Sequence, residues 1–327
     1  MPGPGEATGL FTLVVQGGSA SKPLHWIGDD GRLEPFYGSI GKDGDGSEES
    51  DFTAVADRRP ESQPLGDGIL GWYGNWYTTV RAECGPGSSS GAPPLLHVTA
   101  RADYDEVSAA DRQRLARIAR SAADRLRDRI GCRTGLPELP DQPLPEAPSA
   151  LRPARSADGS CRWFGRHIEK QGQGKLPDRF LATPAGDANP VASCLLAVSP
   201  DQIGPIARGL PDDMLQFARS ARTHSPLWLR TVSYFGAEAA TVGYDRLSIE
   251  DEIIAAGRGG QGGGAWWASS VCDGKPALRT LGSSYLYDDT LSPQTLSALL
   301  RAYVSDITRQ GGCTHVTYPS AKDFRVR

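Results

Sequence analysis

Ala265-Trp266-Trp267-Ala268-Ser269-Ser270-Val271-Cys272 is an apolar run of strand length that ends on a cysteine, and together with the residues after it this run decides the fold. Leu278 to Tyr287 reads as a second strand and Ser292-Pro293 as the start of a helix. A Ser cap followed by proline at the first helical position leaves no needed N–H unsatisfied. The helix carries Leu296, Leu299, Leu300, Tyr303 and Ile307 on one stripe and closes on Gly312-Cys313. The same order occurs earlier: a strand into Cys84, a strand from Leu95 to Tyr104, a helix, then Gly131-Cys132. Its stripe is Leu115, Ile118, Ala119, Ala122 and Leu126, each 181 positions before its counterpart, as Cys132 is before Cys313. Any two surface helices share such a stripe. The Gly-Cys end and the strand-Cys-strand order are what make this an internal repeat, and a repeat is to be found before a fold is assigned.

The expected fold is therefore α+β, with two related domains, each an antiparallel sheet covered by a long amphipathic helix. In the strand from Leu95, the residues Leu96, Val98, Ala100 and Ala102 share one face, and His97, Thr99, Arg101 and Asp103 the other. Residues 136–155 hold six prolines, which can neither continue a helix nor sit inside a sheet, so they read as an extended spacer. The domains expected on that basis are 1–135 and 156–327, with the linker 136–155 between them.

Six cysteines fall into three local pairs, Cys84 with Cys132, Cys161 with Cys194, and Cys272 with Cys313. One pair per structural unit favours disulfides and an oxidising compartment. No CxxC or CxH spacing occurs, so no metal site is read from the chain, and no cofactor either. Of His25, His97, His167, His224 and His315, no two have metal-ligand spacing, and His97 and His167 read as surface or loop residues. The polar segment from Gly38 to Asp51 has the alternation of a calcium loop at Asp43 and Asp45. Glu48, however, stands where such a loop turns on glycine.

A net charge of −4 gives the chain no electrostatic reason to seek nucleic acid or an anionic membrane. No stretch approaches the ~18 apolar residues of a membrane span. Met1-Pro2-Gly3-Pro4 lacks the basic start and apolar run of a secretory signal, so the cysteine reading implies an upstream signal or anchor missing from this sequence.

Phe11 to Val15 reads as a strand, Cys161-Arg162-Trp163-Phe164 and Ala192 to Val198 as two paired strands, and Arg258 to Gly264 as a loop. Pro211 to Arg222 reads as short helical or irregular segments, Arg246 to Ala256 as a short helix or turn, and 314–327 as a polar tail. The glycine loop leads into a strand, whereas a phosphate cradle opens a helix. No GxSxG elbow or HExxH is present. The most distinctive side chains are aromatic: Trp72, Tyr73, Trp76 and Tyr77, and the pair Trp266-Trp267. Adjacent rings on a strand face opposite ways, so one fills a core while the other is offered to a partner. Trp72, Tyr73, Trp76, Trp266 and Trp267 are the binding residues this predicts.

The strand closing on Cys84 or Cys272, the second strand, and the helix closing on Gly131-Cys132 or Gly312-Cys313 resemble duplicated secreted or membrane-anchored proteins of actinobacteria that have no assigned function. The resemblance implies an extracytoplasmic α+β domain, and it transfers no active site. The expected function is a non-enzymatic binding or scaffold ectodomain, extracellular or on the outer face of the cell membrane, with a protein or glycan partner. The alternative is a secreted hydrolase acting on cell-wall or glycan material.

Overall fold

The computed structural model describes residues 11–19, 23–27, 61–85, 88–89, 92–104, 106–132, 134–184, 189–208, 227–244, 252–262 and 264–324. The acidic segment 38–51, the segment 211–222 and residues 246–251 lie outside these. The chain is an α+β protein whose larger sheets are antiparallel throughout, and it divides into two compact units.

The first unit joins residues 1–19 to 62–147. Its strands are β1 (Phe11–Gly18), β3 (Gln63–Pro64), β4 (Gly71–Tyr73), β5 (Tyr77–Glu83) and β6 (Leu95–Ala102), in the sheet order β1-β6-β5-β4-β3. Alternation puts Val80, Ala82, Leu96, Val98, Ala100 and Ala102 on one face. There they meet Leu115, Ala116, Ala119 and Ala123 of helix α1 (Ala109–Ile130). The small alanines let the helix lie close on the sheet. Ser108 and Asp111 form a reciprocal capping box at its start (3.1 and 3.2 Å). Gly71 sits at φ +139°, and a Cβ there would fall 2.0 Å from the Thr79 carbonyl oxygen, so only glycine lets β4 turn against β5.

The proline run differs from the expected spacer. Residues 136–147 belong to the first unit, where Leu136, Leu139 and Leu144 pack on its core. A proline-rich segment offers carbonyls but few N–H groups. The helix supplies the donors: Arg112 Nε to Leu144 O (3.1 Å), Gln113 Nε2 to Pro140 O (2.8 Å) and Arg120 Nε to Pro137 O (3.0 Å). Arg112, on the face expected to be solvated, is consequently buried.

The second unit joins 20–61 to 148–327, so the division falls elsewhere than at 135 and 156. It holds β7 (Arg152–Pro153), β8 (Arg179–Ala182), β9 (Val191–Ala197), β10 (Trp228–Phe235), β13 (Gly260–Gly262), β14 (Ala265–Cys272), β15 (Lys275–Ser283) and β16 (Thr314–Thr317). The order is β13-β14-β15-β10-β9-β8-β7, with β16 also on β14. A small sheet has β11 (Val242–Tyr244) between β12 (Glu252–Ile253) and β2 (His25–Ile27), the last pairing parallel. The helices are α2 (Arg162–Gln171), α3 (Pro200–Ala207), α4 (Tyr285–Thr290) and α5 (Pro293–Gln310).

The strand expected from Leu278 to Tyr287 ends at Ser283, and Tyr285 to Tyr287 open α4 instead. Four further segments depart from the sequence reading. Arg162 to Phe164 open a helix, because Trp163, Phe164 and Ile168 then all reach one core with Leu296, Leu299, Leu300 and Tyr303 of α5. Glu252 and Ile253, within the expected helix or turn, pair with β11 as a strand. Gly260 to Gly262 also form a strand; a Cβ at Gly260 would lie 2.7 Å from the Trp267 ring and one at Gly262 2.5 Å from Tyr244. The tail is ordered as β16 and a 3-10 turn (Ala321–Phe324), since Phe324 stacks on Trp266 (5.6 Å, 12°).

Three disulfides close, Cys84–Cys132, Cys161–Cys194 and Cys272–Cys313. The first and third are built alike. In each, a strand runs into one cysteine, a second strand pairs back, and a left-handed glycine follows the helix, Gly131 directly after α1 (φ +72°) and Gly312 one residue beyond the Gly311 cap of α5 (φ +57°). The next residue is the second cysteine, its N–H bonded five residues back, Cys132 to Arg127 O and Cys313 to Thr308 O (2.9 Å each). The glycine turns the chain back so that the cysteine points at the strand.

Gly312 has open space around it, so Gly312→Ala isolates the backbone cost. Urea unfolding is expected to show a loss of about 1 kcal/mol. At the other helix, hydrogen bonds from Ser108 hold the Asp111 carboxyl below its ordinary value near 3.8. A depressed folded-state value contributes stability above pH ~4 that is lost as pH falls through it. Protection of the first-turn amides of α1, measured as exchange relative to the intrinsic rate at each pH, should therefore fall below pH 4, and Asp111→Asn should remove that pH dependence.

Candidate functional site

The five aromatic residues are carried on strands, or beside one, as the sequence predicts, but four of them lie in the interior. Tyr73 belongs to the core of the first unit, where burial raises its hydroxyl above the ordinary tyrosine range. Trp72, on the opposite face of β4, is buried edge-on to His97 (5.1 Å, 90°). His97 is thus an interior residue, and the face it shares with Thr79 and Thr99 is closed, with the two threonine hydroxyls bonded at 2.8 Å. Trp76 alone keeps partial exposure, beside Tyr77. Trp266 is buried under α5 and donates to Asp323 O (2.8 Å), and Trp267, facing the other way, packs on Tyr244 (5.1 Å). The alternation of faces holds, and both faces are covered.

The second unit also buries charge. Glu61 accepts from Arg230 Nε and Nη2 (3.1 and 2.6 Å) and from the Ser193 hydroxyl, with all three residues below 8% exposure. Ser193 in turn meets Thr183 Oγ1 (3.2 Å). Elsewhere in this unit, His25 Nε2 lies 2.6 Å from a Glu238 carboxylate oxygen, both buried. The His25 ring packs on Tyr234 (5.0 Å), whose hydroxyl burial pushes far above its ordinary value. These pairs hold residues 25 and 61 to the second unit. His167 is half-buried against Trp163, and burial pulls it below the ordinary histidine value.

Among the described residues, two of the open features bear on binding. One is a groove of about 570 Å³ between α2 and the 3-10 turn Ala154–Ser156, lined by Arg155, Arg162, Gly165, Arg166, Glu169 and Gln173. Helical spacing aligns Arg162, Arg166 and Glu169 along one stripe, and Arg166 is held by Asp306 of α5 (2.6 Å). The other is β1. It lies at an edge of its sheet, and its side chains Phe11, Leu13 and Val15 are 49%, 41% and 44% exposed. All three share the helix side of the sheet, since they pair with Ala102, Ala100 and Val98. Thr12, on the other side, is bonded to Asp103 (2.7 Å).

Sequence reasoning reads Phe11 to Val15 as a strand and assigns it no role. The signal in the residues is phenylalanine, leucine and valine at alternate positions in the first strand of the chain. No protein-family model, curated protein or solved structure matches the chain.

The Glu61 pair is read as structural. Glu61→Gln removes the buried carboxylate that pairs with Arg230, and breaking a buried pair at one partner typically costs about 3–5 kcal/mol. Urea titration should show that loss, and Arg166→Gln, at the exposed Arg166–Asp306 pair, should cost under about 1 kcal/mol.

Proposed function

We propose that the chain is a binding ectodomain that works outside the cytoplasm and docks a protein partner on the edge strand β1. The observation that carries this is the stripe of Phe11, Leu13 and Val15, exposed on a strand at the sheet edge. Edge strands offer unpaired N–H and C=O groups, and proteins commonly blunt them with charge or proline. This one instead presents aliphatic and aromatic side chains. That combination suits an extended polypeptide, which adds main-chain hydrogen bonds and fills alternate side-chain positions. A glycan would match neither the aliphatic stripe nor the main-chain row. Three disulfides support an oxidising compartment, and no helix among the described residues is long and apolar enough to cross a membrane. Attachment to the outer face of the cell membrane belongs to the same reading.

In this reading the two units are copies of one module. Supporting it are the shared strand-strand-helix order, the bridge from strand end to helix end, and the left-handed glycine before each closing cysteine. The alternative of a secreted hydrolase has one observation behind it, the buried His25–Glu238 pair, which has the form of a base held by its orienting carboxylate. Release of reducing sugar ends from cell-wall glycan, abolished by His25→Ala with the fold intact, would favour that alternative.

The docking strand is tested by photocrosslinking in intact cells. A photoreactive phenylalanine analogue at Leu13 should give one protein adduct mapping to an extended segment, and the same group at Thr12 should give none. Leu13→Lys with Val15→Lys should weaken capture of that partner by at least about 100-fold without changing the thermal midpoint by more than a few degrees. Equal crosslinking from both faces would overturn the assignment.

A further inference from the structure

Arg279 lies on β15 on the face that packs against α5, the face of Trp266, Ala268, Ser270 and Cys272, and it is 0% exposed. A guanidinium carries its charge at any physiological pH, and a buried charge is ordinarily paired with an opposite one. No carboxylate among the described residues pairs with this one. Nη1 donates to the Ser270 hydroxyl, Nε has no partner, and the ring of Phe235 lies 5.3 Å from the guanidinium carbon. The remaining contacts are to sulfur: Nη2 lies 3.2 Å from Cys272 Sγ and 3.4 Å from Cys313 Sγ. A neutral disulfide is a weak acceptor and a poor reason to bury a cation. A thiolate at the same place is a full counter-ion.

We propose that Cys272–Cys313 is a thiol–disulfide exchange site for an incoming thiol, with Arg279 as the built-in partner of the thiolate formed when the bond opens. Cys313 is half-buried and reachable, and Cys272 is the deeper sulfur at 8% exposure. The attacking thiolate forms a new S–S bond with Cys313 Sγ as the Cys272–Cys313 bond breaks. The electron pair of the broken bond goes to Cys272 Sγ, which stays as a thiolate against Nη2. A second thiol then displaces the first from Cys313 as a disulfide, so two thiols supply the two electrons. A leaving thiol of lower pKa departs faster, and stabilising the reduced form makes a disulfide more oxidising. The other ionisable groups nearby are Tyr303 and Tyr318, which act on Arg279, with Lys275 opposite Cys272 and Asp273 and His315 beside the bridge. Burial pushes the Tyr303 hydroxyl up to about 12, so it supplies no negative charge at neutral pH.

The other two bridges serve as internal controls. Cys161 and Cys194 are both fully buried. Cys84–Cys132 closes the corresponding bridge of the first unit, and there the matching position is Val98, which faces Val80 four residues before Cys84. Arg279 likewise faces Ala268 four residues before Cys272. A bridge of this build therefore closes over valine, and the arginine is an addition.

The test exposes the intact folded chain to graded ratios of reduced and oxidised glutathione. Free thiols are trapped with an alkylating reagent, and each cysteine is mapped by mass spectrometry. Cys272–Cys313 is expected to open before the other two, with the glutathione adduct on Cys313. Arg279→Met, which keeps the length and removes the charge, should slow its opening by about tenfold or more, because an opposite charge at this range moves an acidic group by about 1–3 pKa units. Arg279→Lys should restore part of the rate. A measurement on the wild type needs no variant: the Cys272 thiolate of the reduced protein, followed by its ultraviolet absorbance, should titrate at least one unit below the ~8.5 of an ordinary cysteine. All three bridges opening together, an unchanged rate in folded Arg279→Met, or an ordinary thiolate titration in the wild type would each overturn the proposal.

Discussion

A covalent bond between the end of a strand and the end of a helix is the constraint on which both units depend. The long helix of each unit touches its sheet through a narrow apolar stripe, and in α1 most of that stripe is alanine. Alanine buries little area, so the hydrophobic term per turn is small. Bridges across 48 and 41 residues remove unfolded-chain entropy worth roughly 3–4 kcal/mol each in the loop-closure model. Closure requires the cysteine to point back at the strand. A left-handed glycine and a single hydrogen bond five residues back accomplish that at both helices. Sequence, turn and bridge are in this sense one feature.

Around that closure the chain tolerates an unusual amount of buried polarity. Glu61 with Arg230 and His25 with Glu238 hold segments distant in sequence to the second unit, each carboxylate meeting a group of complementary chemistry. Such pairs contribute modestly to net stability and strongly to uniqueness, because no alternative packing satisfies them. The proline strap follows the same logic with neutral groups, its carbonyls meeting the arginine and glutamine donors of α1. Arg279 is the exception. Its charge meets hydroxyl and sulfur but no carboxylate among the described residues, which sets it apart from the structural pairs.

Much of this is legible in the residues themselves. The three cysteine pairs, the alternation of Leu96, Val98, Ala100 and Ala102, and the stripe of Leu296, Leu299 and Leu300 are local patterns, and local patterns survive folding. The segments that differ from their sequence reading depend on partners far away in the chain. Trp163 and Phe164 form a short apolar run compatible with either a strand or a helix, and contact with Tyr303 decides for the helix. Gly260 to Gly262 look like a linker until the rings of Trp267 and Tyr244 occupy the space their side chains would need. The aromatic pairs do face two ways, but whether the second face is covered is a tertiary fact. The candidate docking strand is visible as a strand, and its exposure is not, because exposure depends on how far α1 reaches across the sheet.

Peptide mapping of the unreduced, unfolded chain tests the central claim most directly. Digestion with thiols blocked beforehand should yield three cross-linked peptides joining Cys84 to Cys132, Cys161 to Cys194 and Cys272 to Cys313, with no free cysteine. Unmodified thiols at Cys84 and Cys132, or a bridge joining either of them to Cys272 or Cys313, would contradict the account of each helix being closed onto its own strand.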